Sequence, residues 1–183
     1  MPETRFHLMP DGRRIAFRHV RGAGPAVVFL PGYMSDMAGS KATALLDWAV
    51  AQRRECLLLD YSGCGASSGR FADQRATLAA GETVYEDNPY GPEPTPIHPG
   101  FWADGEAQRL LGGVVALDCP VRLLHGQDDG VVPPDISLRL ARALRSEDVQ
   151  VTLVKGGDHR LSRDSDIALL LRTVAALTES ASA

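Results

Sequence analysis

The stretch AVVFLPGYMSDMAGSKATALLDWAVAQRRECLLLD, residues 26 to 60, determines the fold class. It begins and ends with continuous apolar runs, at 26 to 30 and 56 to 60, which are typical of strands covered on both faces of a parallel sheet. Between them, apolar residues from 40 to 53 recur at helical spacing. The stretch therefore predicts a strand, a crossover helix and a second parallel strand.

The flanking sequence extends this pattern in both directions. On the N-terminal side, two short alternating runs surround Asp11-Gly12, a dipeptide typical of hairpin turns. On the C-terminal side, predicted strands alternate with predicted helices, and this alternation indicates an α/β fold with a doubly wound, mostly parallel sheet. The predicted hairpin strands are 6 to 8 and 14 to 19, the later strands are 121 to 124 and 149 to 154, and the later helices are 134 to 145 and about 167 to 177.

The middle of the chain departs from the pattern. Five prolines between residues 85 and 105 forbid a helix of ordinary length and interrupt any central strand, so residues 74 to 118 are predicted to form a lid-like segment. No repeat or low-complexity linker divides the chain, and we expect residues 1–183 to form a single domain. The prolines are Pro89, Pro92, Pro94, Pro96 and Pro99.

Composition excludes several classes of protein. With 44% hydrophobic and 23% charged residues, the chain is predicted to be globular and not disordered. The net charge of -4, without a basic block, argues against nucleic acid as a partner. Three cysteines without C-x-x-C spacing indicate neither a disulfide framework nor a zinc site. No apolar run is long enough for a membrane span, and residues 1 to 7 lack the apolar core of a signal peptide. We expect a cytoplasmic protein, with an organelle matrix as the alternative.

Polar residues follow the last two predicted strands. Asp128 and Asp129 lie after the strand at 121 to 124, and His159 lies after the strand at 149 to 154. A carboxylate and an imidazole at neighbouring strand ends can meet above the sheet, where the acid fixes the tautomer of the base. This pattern predicts two members of a catalytic triad.

Four motifs together resemble the α/β-hydrolase family, and within it the branch of the mitochondrial palmitoyl-protein thioesterases and acyl-glucuronide esterases. They are LPGYMSDM at 30 to 37, DYSGCGASSG at 60 to 69, CPVRLLHG at 119 to 126, and the segment 155 to 161 with its DHRL. The resemblance covers residues 15 to 73 and 119 to 177 well, and the lid-like segment more loosely.

The resemblance implies roles for individual residues. The family pattern H-G-x-x-D-x-x-V-P places the acid on Asp129 rather than Asp128, with His125 as a structural strand-end residue. His159 matches the catalytic histidine, and the backbone N–H of Tyr33 matches the first oxyanion-hole donor. The implied activity is hydrolysis of a small-molecule or acyl-protein ester or thioester, and no cofactor or metal is implied.

The nucleophile is where the sequence departs from the family. The serine of the fold sits on a G-x-S-x-G elbow between a central strand and the next helix. Elements of typical length would need roughly 60 residues for this part of the sheet before any lid. Residues 69 and 119 are only 50 positions apart, and part of that stretch is broken by proline. We therefore expect a fold that is truncated in the middle, with a deletion near residues 73 and 74.

Three side chains in the glycine-rich loop at 60 to 69 are candidate replacements for the missing nucleophile. Ser67 satisfies the G-x-S-x-G expression, but it lies seven residues past Asp60 rather than directly after the strand. Ser62 and the thiol of Cys64 fit less well, and a structural turn is the favoured interpretation of the loop. Gly63-Cys64-Gly65 also begins a dinucleotide fingerprint, but Ser68 stands where its third glycine is required.

Two functional interpretations remain. In the first, the chain is an esterase or thioesterase that retains its acid and base. In the second, it is a catalytically inactive remnant or a non-enzymatic binding protein of the same fold. Loss of a central strand would leave unpaired sheet edges, so in either case we expect self-association.

Overall fold

The computed structural model describes residues 2–32, 35–69, 84–86, 92–97 and 107–180. The chain divides into two compact units. The N-terminal unit comprises residues 1–22 and 26–109, and the C-terminal unit comprises residues 23–25 and 110–183.

The N-terminal unit begins with the predicted hairpin. Strands β1 (Arg5–Leu8) and β2 (Arg14–Val20) pair antiparallel. In the turn between them, Gly12 has a φ of +85°, which a residue with a side chain rarely adopts. The Asp11 carboxylate accepts the N–H of Arg13 at 3.1 Å and so fixes the turn.

The predicted crossover unit follows the hairpin. It consists of β3 (Ala23–Phe29), helix α1 (Ser40–Ala51) and β4 (Arg54–Leu59). The helix ends two residues earlier than the periodicity predicts, because Arg53 adopts a φ of +54°, which is incompatible with a right-handed helix. The strand order of the sheet is β1-β2-β4-β3, and β2 and β4 run antiparallel.

The core of the N-terminal unit lies where α1 meets the sheet. Four helix residues are buried, and they recur at the spacing that the sequence predicts. Most of the buried apolar side chains of the described chain belong to this unit, namely Ala16, Met37, Ala42, Leu45, Leu46, Ala49, Cys56, Leu58 and Cys64.

The proline-rich segment contains two short strands. β5 (Val84–Glu86) and β6 (Thr95–Ile97) form an antiparallel pair in which Pro96 lies opposite Tyr85. The sequence predicts only a loop or lid here, because proline has no backbone N–H to donate to a neighbouring strand. A two-stranded sheet tolerates it, since each strand keeps one free edge for the missing N–H.

The C-terminal unit is built on one parallel strand pair. It contains β7 (Val121–Gly126), α2 (Asp135–Ala143), β8 (Val149–Val154) and α3 (Asp164–Ser180). β7 and β8 pair in register from Val121 opposite Val149 to Gly126 opposite Val154. Leu144 is the one buried apolar side chain among the described residues of this unit, so its core is far smaller than that of the N-terminal unit.

The described segments between the glycine-rich loop and β7 have no long strand. Within residues 84–86, 92–97 and 107–120, the strands β5 and β6 are each three residues long. A buried strand of ordinary length followed by a helix is absent from these segments. Among the helices of the described residues, none is long and apolar enough to cross a membrane.

Candidate active site

The loops that follow β7 and β8 are joined by backbone contacts. The N–H of Asp128 donates to the carbonyl oxygen of Gly157 at 2.9 Å. A Cβ atom on Gly126 would lie 2.2 Å from the same carbonyl oxygen, so the two loops approach this closely only because residue 126 is a glycine. Parallel pairing thus brings the two chemistry-bearing loops to one edge of the strand pair.

Asp129 and His159 meet at this edge. The Nδ1 atom of His159 lies 3.0 Å from Oδ2 and 3.1 Å from Oδ1 of Asp129. The predicted contact between the two side chains is confirmed, although 30 residues separate them in sequence. The carboxylate side chain is only 5% exposed, whereas the imidazole is 43% exposed.

The surroundings of Asp129 keep its carboxylate ionised. Burial raises the pKa of the carboxyl, but hydrogen bonds from the N–H of Val132, the ring of His159 and the N–H of Val131 outweigh it. The pKa of Asp129 consequently falls to about 2. Both backbone N–H groups donate to Oδ1 at 2.8 Å.

This geometry determines which nitrogen of His159 is available for chemistry. An ionised carboxylate only accepts, so Nδ1 of His159 carries a proton, and the neutral ring leaves Nε2 as an acceptor. Among the described residues, Nε2 of His159 has no hydrogen-bond partner. The pair is therefore arranged as a general base whose tautomer is fixed by its acid.

A second histidine touches the same carboxylate. Nε2 of His125 lies 3.3 Å from Oδ2 of Asp129, on a side chain that is 10% exposed. The sequence pattern assigned His125 a structural role at the strand end, and the i, i+4 spacing to Asp129 was the available signal for this contact.

The hydroxyl of Ser67 lies in the N-terminal unit and is occupied by backbone groups. Ser67 Oγ donates to the carbonyl oxygen of Asp60 at 2.8 Å and accepts the N–H of Ala16 at 2.8 Å. Ser67 is 7% exposed. A nucleophilic serine needs a base at its hydroxyl, and neither of these partners is one.

The other two loop candidates are also placed as structural groups. Burial raises the pKa of the Cys64 thiol, and the carboxylates of Asp60 and Asp36 raise it further, so the thiolate is disfavoured. Ser62 Oγ lies 3.5 Å from the carbonyl oxygen of Ser68. The loop is thus held by its own hydrogen bonds.

The expected oxyanion donor, Tyr33, lies outside the described residues. The residues that flank it are anchored on both sides. Ser35 donates its N–H to the carbonyl oxygen of Gly32 at 3.0 Å, and Met37 donates its N–H to Oδ1 of the buried Asp60 at 2.7 Å. Within the described part of the chain, no group of three or more His, Cys, Asp or Glu side chains could hold a metal ion.

Several known proteins are similar to this chain over most of its length. No family model matches the chain. The human mitochondrial palmitoyl-protein thioesterase ABHD10 is 26% identical over 234 residues, covering 90% of this chain and 76% of the relative. The mouse protein of the same name is 28% identical over 229 residues, covering 87% and 77%.

Solved structures agree with these relatives. A putative hydrolase from Agrobacterium vitis S4 is 27% identical, with a TM-score of 0.86 over 96% of this chain and 98% of the other. The chain has the fold of the α/β hydrolases. Mouse alpha/beta hydrolase domain-containing protein 10, at 24% identity, has the same fold with a TM-score of 0.85, over 97% of this chain and 99% of the other. The α/β-hydrolase fold predicted from the sequence is therefore confirmed.

The pairing of Asp129 with His159 agrees with this fold. Both residues follow the paired parallel strands β7 and β8, and the homologues of the chain are thioesterases and esterases. The nucleophile of the family has no counterpart among the described residues at this strand edge.

Proposed function

We propose that Asp129 and His159 are the acid and base of an ester- or thioester-hydrolysing site whose serine elbow is missing from this chain. The contact of 3.0 Å between the buried carboxylate and Nδ1 of His159 carries the proposal. Asp129 orients the ring, and Nε2 of His159 takes a proton from an attacking oxygen. The backbone N–H of Tyr33 is proposed as the donor to the developing oxyanion.

The length of the alignment supports a deletion inside the chain. The human relative is aligned over 234 residues, whereas 90% of this 183-residue chain is about 165 residues. About 69 aligned positions of the relative therefore have no residue of this chain opposite them. That number is enough for a strand, the elbow, a helix and another strand. We place the deletion near residues 73 and 74, between the glycine-rich loop and the segment that the sequence predicts to be lid-like.

The proposed substrate is an acyl ester or thioester, either a small molecule or an acylated protein. The names of the human and mouse relatives, which describe them as palmitoyl-protein thioesterases, support a thioester of a long acyl chain. Their names also describe them as mitochondrial, so an organelle matrix is proposed alongside the cytoplasm as the location of this protein.

Without a positioned serine, the acyl-enzyme route is closed to this chain. A general base can still activate water without a nucleophilic serine, and residual sites of this kind give at most roughly a 10³- to 10⁴-fold enhancement. We expect hydrolysis of a short-chain aryl ester barely above the rate in buffer. A rate above that in buffer would indicate a weak enzyme. No rate above that in buffer would favour the competing interpretation of a remnant with a purely binding role.

The test compares the chain with His159→Gln in aryl-ester hydrolysis and in labelling by a fluorophosphonate probe. We expect no labelling of either protein, and a small rate in the parent chain that His159→Gln abolishes. His7→Gln is the control, because His7 is exposed and lies in the N-terminal unit. A rate that survives His159→Gln would overturn the proposed base. Stoichiometric labelling of the parent chain that is lost in Ser67→Ala would show that Ser67 is a nucleophile, and it would overturn the proposal that the nucleophile is missing.

A second experiment tests the deletion directly. The segment of the human relative that has no counterpart here is inserted between Asp73 and Gln74. We expect the chimera to be labelled by the probe at the inserted serine, and its turnover to depend on Asp129 and His159. A folded chimera that is labelled but indifferent to His159→Gln would contradict the roles proposed here.

A further inference from the structure

Both ring nitrogens of His125 are engaged, on opposite sides of the ring. Nδ1 lies 2.7 Å from Oγ of Ser137, on helix α2. Nε2 lies 2.9 Å from the carbonyl oxygen of Val132 and 3.3 Å from Oδ2 of Asp129. The side chain is 10% exposed, so water supplies little of its hydrogen bonding.

These partners determine where the protons of His125 are. A backbone carbonyl oxygen can only accept, so Nε2 of His125 carries a proton. In the neutral ring Nδ1 is then the acceptor, and the hydroxyl of Ser137 donates to it. Ser137 therefore favours the tautomer in which Nε2–H is directed at the loop that carries Asp129.

The carboxylate of Asp129 is held on both oxygens. Oδ1 accepts the N–H groups of Val131 and Val132, while Oδ2 is approached by both His159 and His125. Loss of His125 would leave Oδ2 with His159 alone and would also free the carbonyl oxygen of Val132. The turn from Asp129 to Val132 would then keep only the bond from the N–H of Val132 to Oδ1 of Asp129 as a link between its two ends.

We propose that His125, locked by Ser137, is a positioning residue that fixes the Asp129 carboxylate for His159. The inference rests on the proposed function of the pair, but its test does not require turnover. Its direct consequence is that neutral His159 is held as the Nδ1–H tautomer, because the carboxylate whose two oxygens both face this proton keeps its orientation.

The tautomer of His159 is measured in the full chain by NMR with ¹⁵N-labelled histidine at a pH where the rings are neutral. In the parent chain we expect His159 as the Nδ1–H form. In His125→Phe we expect the ratio of Nδ1–H to Nε2–H to fall about fivefold, since the hydrogen bond from Nε2 to the carbonyl oxygen of Val132 is lost together with the contact to Oδ2 of Asp129. In His125→Gln, whose side-chain amide retains a donor, we expect the parent ratio to return. His7→Phe is the control, because it removes an exposed histidine in the other unit.

An unchanged His159 ratio in a folded His125→Phe chain would overturn the inference, as would failure of His125→Gln to restore the ratio. If His125→Phe does not fold, Ser137→Ala decides. This variant removes only the donor to Nδ1, and we expect a shift in the same direction of about threefold, in line with the loss of an uncharged hydrogen bond. An unchanged ratio in Ser137→Ala would equally overturn the inference. Absence of ester hydrolysis would defeat the proposed function while leaving these signals intact.

Discussion

The hydroxyl of Ser67 donates to the carbonyl oxygen of Asp60 at 2.8 Å, and it also accepts the N–H of Ala16. One buried oxygen atom therefore joins strand β2 to the loop that follows β4. A donor and an acceptor of the backbone both depend on it, and a buried backbone group without a partner is costly. The sequence GASSG thus forms a structural clamp in this chain.

We expect Ser67→Ala to lower the free energy of unfolding by about 1 to 3 kcal/mol, because it leaves two buried backbone groups unpaired. Ester hydrolysis should not change. Urea denaturation measures the first effect and an aryl-ester assay the second. Ser162→Ala is the matched control, since Ser162 is only partly buried and its hydroxyl bonds to an exposed carbonyl oxygen two residues before it. Equal destabilisation by Ser67→Ala and Ser162→Ala would contradict the claim that the hydroxyl of Ser67 is a structural clamp.

Asp60 connects the same loop to the segment that follows Tyr33. Its carboxylate is 1% exposed and accepts the N–H of Met37 at 2.7 Å and the N–H of Ala66 at 2.9 Å. We expect Asp60→Asn to destabilise the chain by about 2 to 3 kcal/mol, because an amide replaces one of the two acceptors with a donor.

The control for this variant is Asp11→Asn. Asp11 also accepts a backbone N–H, that of Arg13, but its side chain is 51% exposed. Thermal or urea unfolding should show little change in this control. A similar loss in the two variants would mean that burial of Asp60 contributes nothing.

Much of the fold could be predicted because its elements have strong local signals. Continuous apolar runs located β3 and β4, and the strand at 149 to 154 was predicted with the bounds that β8 has. The antiparallel pairing of β2 with β4 was not predicted, since apolar residues on a strand do not specify its neighbour. The pair of β5 and β6 was also missed, because Pro96 excludes a central strand but not a two-stranded sheet.

At the site, strand ends brought Asp129 to His159 as predicted, since parallel neighbours end at one edge. The bond from Ser137 to His125 could not be predicted. It depends on the rotation of helix α2 about its axis, which only tertiary packing determines. The occupation of Ser67 by backbone groups was likewise hidden, because its partner Ala16 lies 51 residues away in the sequence.

The pKa of about 2 at Asp129 predicts a specific pH dependence of stability. A pKa below the ordinary value of 3.8 means that the native state favours the ionised carboxylate. The stabilisation is therefore complete above about pH 4 and is lost as the pH falls toward about 2. We expect Asp129→Asn to remove about 1 to 2 kcal/mol at pH 7 and to have little effect at the acid end.

Urea unfolding of both proteins between pH 7 and pH 2.5 measures this difference. Asp118→Asn serves as the control, because Asp118 pairs with Arg145 on an exposed surface, where ion pairs contribute little. The difference in free energy of unfolding between the parent chain and Asp129→Asn should shrink as the pH falls. A difference that stays constant with pH would contradict the prediction that the ionised carboxylate of Asp129 stabilises the native state.

The edge strand of the N-terminal sheet favours self-association of the protein in solution. β3 is the last strand in the order β1-β2-β4-β3, and β4 is its one partner among the described residues. Val28 on this strand is 51% exposed, and Leu30 directly after it is 59% exposed. An apolar strand with a free edge offers unpaired backbone groups to a second chain. We expect the protein to self-associate at micromolar concentration, and Val28→Lys to shift it toward the monomer, as measured by light scattering.

Val50→Lys is a closely matched control, because Val50 is also 51% exposed but lies on helix α1, which has no edge to pair. A parent chain that is a monodisperse monomer would contradict the prediction, and so would association reduced equally by the two lysines.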